Sequence, residues 1–594
     1  MVPKPDSGVK SPAVGEGKVF RRGNTILYPG LFKDVVIRKR LTLAVLFMLL
    51  IVGVVTRLYD IGENPAGLNV DEASAGYDAY ALANYGITRN GHNFPVHLTA
   101  WGSGQNALYA YIIMPVIKIF GLSPVTSRIG NFIFGVLTII FLFYSVKRIA
   151  GTKIALVAAF ILTISPWGIM TSRWGLPENI MPAFVMMGVY FFTLSLDRPA
   201  FLYLSSAAFG LSLYGYGTAY VVVPPLMVLM AVLGFQNAEN RKAYLKMLAR
   251  AALLFVIIAL PIAMFVYLNL FSDIPSSIKL GFITIPRLTT PGARYAQVIM
   301  FDPNLKGISP LLARLAQNFQ YYYYTVFEQK GASWSVINNQ AHRFGSLFLF
   351  GNIFFLVGFC FAAADIFSSV LKKRLRHESL FMLWFIIATI LGVISETNTN
   401  RMNIIFLPMI FFTAYGVCKA GSEIGTFITH FIGGESRKPA VFTAASSIAI
   451  LLIAAVYLSS FYAFAGYYYP PHLYPDHIGS YFNYSMKDAV EYVEKNNTGG
   501  KTVYMSNVSM GYIYVLYYTK YNPHDFIRTV VYNNPYGSFR EVLSFGNYRF
   551  IFPKEAVDPQ PDSFYIVDNE KIYSTLASPP EKIKRFKRFS VLEY

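Results

Sequence analysis

The sequence predicts an α-helical polytopic membrane protein of about eleven spans, followed by a small α/β domain outside the cytoplasm. Three observations predict it. Of 594 residues, 54% are hydrophobic and 14% charged, against about 25% charged in soluble proteins. Apolar runs close to the roughly 20 residues that cross a bilayer recur along the chain. The basic residues fall in short clusters between those runs: Lys147/Arg148, Arg241/Lys242/Lys246/Arg250, Lys372/Lys373/Arg374/Arg376 and Arg437/Lys438. A net charge of +19 raises a nucleic-acid partner, but clustering between spans is the positive-inside pattern, which excludes it. Cys360 and Cys418 lie inside apolar runs, so a disulfide framework and a cysteine zinc site are both excluded.

In chain order, residues 1–40 are a polar, basic tail expected to stay cytoplasmic, with no cleavable signal pattern before the first span. Spans are expected near 41–58, 125–146, 153–170, 179–196, 200–216, 218–234, 251–271, 344–366, 380–395, 402–420 and 440–463. The block 200–234 is divided at Gly215-Tyr216-Gly217, where glycine permits a tight turn. The apolar segment 106–120 carries Pro115 and Lys118. If it spanned, the four basic clusters would face outward; charge therefore assigns it a re-entrant or surface position. The outer loops are then 59–124, 171–178, 272–343 and 396–401, within a transmembrane domain 41–463. Residues 464–594 form the outer domain, with a helix at 486–496 and short strands at 501–506, 526–532 and 548–552.

The first outer loop reads GLNVDEASAGYDAYALANYG. Asp71 and Glu72 stand just beyond the first span, where acidic groups near the bilayer are costly unless functional. A helix cap is the structural alternative. Tyr77, Tyr80 and Leu82 are spaced as an amphipathic face on the membrane surface. The second loop, SPWGIMTSRWGLPENIMP, brings out Arg173 and Glu178. The Arg173 fork suits phosphate; an interfacial anchor beside Trp167 and Trp174 is the alternative. Arg401, in SETNTNRMNIIFLP, opposes both the charge bias and the helix dipole, and an anion against it would relieve both. Walker A, GxGxxG and GxSxG motifs are absent, as is zincin-type spacing. His92 and His97 read as solvated loop residues, and the sequons at Asn483, Asn496 and Asn507 depend on the compartment.

These pieces, in order with GNFIFGVLTIIFLFYSVKRIAG and GLSLYGYGTAYVVVPPLM, resemble the GT-C superfamily of integral-membrane glycosyltransferases over about residues 41–420. More narrowly, the chain is similar to the dolichyl-phosphate-mannose protein O-mannosyltransferases and their bacterial relatives, including the lipid A aminoarabinose transferases. The resemblance implies a GT-C fold, a polyprenyl-phosphate sugar donor lying in the membrane lipid and inversion at the anomeric carbon. The acceptor it implies is a glycan, lipid or protein of the cell envelope. It implies that Asp71 is the general base, with Glu72 its partner in the motif, and that Arg173 and Arg401 hold the donor phosphate. Tyr77, Gln105, Asn106 and Glu178 are candidates for contact with the substrate. Gln105 and Asn106 stand where the mannosyltransferases carry a His-Pro motif, a departure that puts a eukaryotic-type protein acceptor in doubt. No cofactor is expected; a divalent metal at Asp71 and Glu72 is the open alternative. A transporter or flippase of a lipid-linked sugar is the competing function, disfavoured because the charges gather at the outer surface and no inverted repeat is visible. A membrane scaffold would leave Asp71, Arg173 and Arg401 without a role.

Overall fold

A computed structural model describes residues 20–22, 25–27, 29–102, 104–289, 298–299, 302, 305, 307–329, 343–431, 438–470, 481–537, 539–553, 556–571 and 576–594. Arg437 lies outside them, as does much of the 272–343 loop. The chain forms two units, residues 1–49 and 50–594. The first holds an antiparallel hairpin, β1 (Phe20–Arg22) and β2 (Thr25–Leu27), pairing Phe20 with Leu27. It also contains most of helix α1 (Pro29–Leu58).

The second unit is mainly helical. After α1 come α2 (Val70–Tyr85), strands β3 (His97–Leu98) and β4 (Gln105–Asn106), and α3 (Leu108–Phe120). Then follow α4 (Pro124–Ala150), α5 (Thr152–Ile164), α6 (Pro166–Arg173), α7 (Pro177–Ser195), α8 (Phe201–Ser212), α9 (Ala219–Asn237) and α10 (Arg241–Leu270). A hairpin of β5 (Ile278–Leu280) and β6 (Ile283–Ile285) and helix α11 (Ile308–Val326) occupy the described part of the long loop. Further helices run over Gly351–Leu371, Ser379–Ile394, Thr399–Met402, Phe406–Phe431 and Lys438–Tyr468.

Among the described residues seven helical stretches are long and apolar enough to cross a bilayer, and the α5–α6 pair, bent by 55°, makes an eighth if it counts as one span. Ser165 and Pro166 account for the bend, since proline supplies no N–H to continue the ladder. The protein is therefore a multi-pass membrane protein. The expected spans 200–216 and 380–395 fall on helices of 12 and 16 residues, short of the roughly 20 required. The span at 179–196 falls on α7, whose polar Pro177-Glu178-Asn179 start lowers its apolar content. Length and composition thus account for fewer spans than eleven. The 13-residue α3 is likewise too short to cross at about 1.5 Å per residue. The turn between α8 and α9 falls at residues 213–218, as the glycines there predict.

The C-terminal region contains a mixed seven-stranded sheet in the order β12-β13-β11-β7-β10-β9-β8. Its strands are β7 (Thr502–Ser506), β8 (Val531–Tyr532), β9 (Val542–Phe545), β10 (Tyr548–Ile551), β11 (Ser563–Asp568), β12 (Lys582–Arg585) and β13 (Phe589–Glu593). Strand β7 pairs in parallel with both β10 and β11. The Met486–Asn496 helix and strands β7 and β10 lie where the sequence predicts them. The expected strand 526–532 does not form as such. Its first half is the Pro523–Thr529 helix, started by the Asn522 side chain accepting from His524 N–H at 2.9 Å and by Pro523 at the first helical position.

The C-terminal region shares a core with the first outer loop. One apolar cluster joins Tyr77, Tyr109 and Ile113 of α2 and α3 to Val490, Val503, Ile513, Tyr517 and Phe550. The expectation that Tyr77 and Tyr80 face the membrane is corrected by this packing. Tyr77 is fully buried, and its hydroxyl donates to the Tyr521 carbonyl at 2.7 Å. The helix Tyr512–Thr519 covers α2, so the amphipathic face meets protein rather than lipid.

Candidate active site

Helix α2 begins with a complete capping box: the Asn69 side chain accepts from Asp71 N–H at 2.9 Å, and Glu72 reaches back to the Asn69 N–H at 3.4 Å. The cap expected as the alternative role is therefore supplied by Asn69 and Glu72, which leaves the Asp71 carboxylate for other partners. Its Oδ1 accepts from the Trp101 indole at 2.6 Å and from the Gln105 amide at 3.0 Å. Its Oδ2 has no hydrogen-bond partner among the described residues, and the residue is half-buried.

Gln105 is held in turn. Its Oε1 accepts from Ser74 Oγ at 2.8 Å, and Ser74 Oγ accepts from Arg89 at 2.8 Å. Arg89 pairs with Asp78 at 2.6 Å, both buried. A buried relay of four residues thus fixes the amide that faces Asp71. Gln105 stands on this scaffold rather than as a free substrate ligand. Asn106 is buried beside it and donates to the Leu213 carbonyl at 3.5 Å.

Glu72 occupies the opposite environment. It is fully buried and forms a forked pair with Arg128, at 2.7 Å and 3.1 Å. It also accepts from the Gly175 N–H at 2.9 Å. Arg128 donates further to the carbonyls of Ile61, Pro65 and Gly67. With both its oxygens taken, Glu72 does not fit a role as a second ligand beside Asp71 for a divalent ion. Among the described residues no three His, Cys, Asp or Glu side chains gather as a metal cluster.

Arg173 is also fully buried. Its guanidinium donates to the carbonyls of Thr56, Arg57, Asp60 and Asn64 and lies over the Tyr469 ring at 5.2 Å. Neighbouring Arg57 donates to the carbonyls of Gly53, Leu162 and Thr163. Neither arginine pairs with a carboxylate among the described residues. Arg173 is therefore built into the wall of the site through its two terminal nitrogens, while its buried Nε has no hydrogen-bond partner among the described residues. Arg401 is half-buried, its backbone N–H held by the Asn398 side chain at 2.9 Å and its guanidinium donating to the Glu396 carbonyl. Glu178 accepts from Asn400 at 2.6 Å, and Asn179 accepts from Asn403 at 3.0 Å.

The segment 173–179 is thus the hinge of the arrangement. Gly175 bonds the residue next to Asp71, and Glu178 bonds the residue next to Arg401. Three residues extend at most about 10 Å, so the acid-bearing and arginine-bearing loops are anchored close together. A Cβ on Gly175 would lie 2.6 Å from the Ser127 carbonyl and 3.0 Å from Glu72, which explains glycine there. Trp101, Arg128 and Arg57 are absent from the residues expected at the site. Arg128 was detectable: like Arg401, it is an arginine in the first turns of a helix, against the dipole.

The family model for dolichyl-phosphate-mannose-protein mannosyltransferases matches residues 106–265. No curated protein matches the chain by sequence. Among solved structures, ArnT from Cupriavidus metallidurans, bound to undecaprenyl phosphate, superposes with a TM-score of 0.51 at 12% identity, covering 93% of this chain and 97% of that one. The Archaeoglobus fulgidus oligosaccharyltransferase, tethered to an acceptor peptide, gives 0.50 at 13% identity over 81% of this chain and 63% of its own. The chain therefore spans less than two thirds of the archaeal protein. At such identities these likenesses establish the fold. Those proteins are of the integral-membrane glycosyltransferase class, and the fold this chain shares with them is the GT-C fold that the loop motifs imply. Within that class the chain is similar to the protein mannosyltransferases over the stretch from the end of the first outer loop through α10.

Proposed function

We propose that the protein transfers a sugar from a polyprenyl-phosphate donor to a hydroxyl of a cell-envelope acceptor outside the cytoplasm, with inversion. The acceptor is a glycan, lipid or protein. The N-terminal tail is cytoplasmic, the C-terminal region extracytoplasmic, and the fold crosses the membrane about eleven times. The observation that carries the reading is Asp71: one carboxylate oxygen is locked by Trp101 and Gln105, and the other is open.

Asp71 Oδ2 takes the proton of the acceptor hydroxyl as that oxygen attacks the anomeric carbon. The bond to the donor phosphate breaks with inversion, and the polyprenyl phosphate leaves as an anion. A base must come within about 3 Å of the hydroxyl, and an oxygen with no other partner is suited to that. Arg401 contacts the leaving phosphate. Arg173 and Arg57, buried without carboxylate partners, add positive potential from the wall, where low dielectric strengthens it. Glu72 positions α2 through Arg128 and does not exchange protons with substrate.

The reading is tested in nanodiscs with wild type and Asp71→Asn, a panel of polyprenyl-phosphate sugars and extracted envelope acceptors. Transfer by wild type, lost in Asp71→Asn with donor binding retained, is the expected result. Transfer by Asp71→Asn at the wild-type rate would remove Asp71 as base. Transfer unaffected by EDTA is expected from the Asp71–Glu72 geometry; loss restored by added divalent ion would reverse that expectation.

A further inference from the structure

The last hairpin of the sheet, β12 and β13, concentrates positive charge. Residues 481–594 carry 14 Lys and Arg against 12 Asp and Glu, and the seven residues 582–588 hold five of the 14 and none of the 12. Without that run the region would be net acidic. Strand β12 is an edge of the seven-stranded sheet, and Lys582, Lys584, Arg585 and Lys587 are all exposed. Edge lysines guard against stray strand pairing. That accounts for Lys582 and Lys584 but not for Lys587 and Arg588, which lie beyond the end of β12.

The two ends of the run are neutralised: Lys582 pairs with Glu593 at 3.1 Å and Arg588 with Asp568 at 3.0 Å. The middle is not. Lys584 stands opposite Val591 and Arg585 opposite Ser590 in the β12–β13 register, so no carboxylate faces them across the ladder. Lys584, Arg585 and Lys587 form no ion pair among the described residues. Lys584 lies over the Phe586 ring at 5.9 Å, and Lys587 lies over the Tyr484 ring at 4.7 Å and donates to its hydroxyl. Aromatic rings hold an ammonium group without neutralising it.

The hairpin is tied to the wall of the candidate active site. Ser485 Oγ accepts from the Arg588 N–H at 3.0 Å. Two residues before Tyr484, Phe482 packs on Trp174 at 5.2 Å, and Trp174 adjoins Gly175, which bonds Glu72. Two residues extend at most about 7 Å, so the basic run is anchored to the segment that closes the site beside α2.

We propose that this hairpin is the docking surface of the acceptor, and that the acceptor is an acidic polymer bearing a carboxylate or phosphate on its repeating units. This rests on the proposed transfer reaction and narrows its acceptor class. Successive uncompensated cations on an open strand edge complement the repeated charges of an extended polyanion. Ile583 is the one large apolar side chain exposed in the run, so the run lacks the apolar face that seats an element on a membrane surface.

Binding is measured on the full-length protein in nanodiscs of phosphatidylcholine, which carries no net charge, at about 50 mM salt. The probes are polygalacturonate, a linear polyphosphate and neutral dextran. Saturable binding of one or both polyanions, and none of dextran, is expected; which polyanion binds tells carboxylate from phosphate. Lys584→Gln/Arg585→Gln/Lys587→Gln should weaken that binding at least about tenfold and flatten its dependence on salt, because fewer counterions are released. Lys584→Arg/Lys587→Arg, which keeps the charge, should bind as wild type. Lys584 and Arg585 make no hydrogen bond, so Lys584→Gln/Arg585→Gln keeps the fold, which an unchanged melting temperature checks, and should show most of the loss. Lys372→Gln/Lys373→Gln/Arg374→Gln removes equal charge from a cluster between spans and should leave binding within about twofold of wild type. Absence of polyanion binding, or an equal loss in the two triple variants, overturns the inference. The assay needs no sugar donor, so its failure removes the docking surface and leaves the transfer reaction to its own test.

Discussion

Asp71 and Glu72 are neighbours in sequence, yet the two sides of the first turn of α2 are different places. On one side, Glu72 is sealed from solvent between Arg128 and Gly175 and joins three segments of chain. On the other, Asp71 is half-buried, one oxygen held by Trp101 and Gln105 and the other without a hydrogen-bond partner among the described residues. Consecutive helical residues point about 100° apart, so the two acids of the motif meet different surroundings: one carboxylate is paired inside the wall, and the other keeps an oxygen available for the role proposed for it as base. The contrast teaches that burial, more than proximity in sequence, separates a positioning acid from a candidate reacting one.

The comparison breaks most sharply under substitution. Asp71→Asn should lower the transfer rate by about 10²–10⁴ while leaving the melting temperature near that of wild type. A rate loss with parallel unfolding would mean that Asp71 is structural too. Glu72→Ala and Arg128→Ala should each cost about 3–5 kcal/mol of stability, because each strands a buried charge. The double variant should lose less than the two single losses added, which a double-mutant cycle by thermal melting in detergent would show.

Gln105→Leu sharpens the Asp71 side. The Gln105 amide holds Asp71 Oδ1 at 3.0 Å, and a hydrogen bond to a charged group contributes about 1.5–3 kcal/mol. Its loss leaves the carboxylate less firmly oriented, so the transfer rate should fall by about tenfold, at a melting temperature changed far less than in Glu72→Ala. Gly175→Ala, on the Glu72 side, should destabilise by about 1–3 kcal/mol through overpacking, which thermal melting reads. The smallest effect is at His92, outside the helices. Burial, with Arg540 and Lys279 nearby, holds its pKa below the ordinary 6.5. The unfolded chain then takes up a proton first, so stability should fall as pH drops from about 6.5 toward the lowered value and level off below it. Melting temperatures of His92→Gln should lose that part of the slope.

Most of the fold class was legible in the sequence because membrane insertion is read from local composition: apolar length and flanking charge act over about 20 residues at a time. The loops carrying Asp71, Arg173 and Arg401 were legible for the same reason, as polar groups in costly places. Tertiary structure alone decided what each does. Arg173 carries the charge expected of a phosphate ligand, but its two terminal nitrogens bond the backbone of residues 56–64, which no local pattern records. Tyr77 has helical spacing that suits a membrane surface, but the Tyr512–Thr519 helix covers it from more than 400 residues away. Trp101 and Gln105 become partners of Asp71 only through the β3–β4 turn. Composition fixes where a segment sits relative to lipid; partners distant in sequence fix which charges are buried and bonded, and that determines which remain available for chemistry.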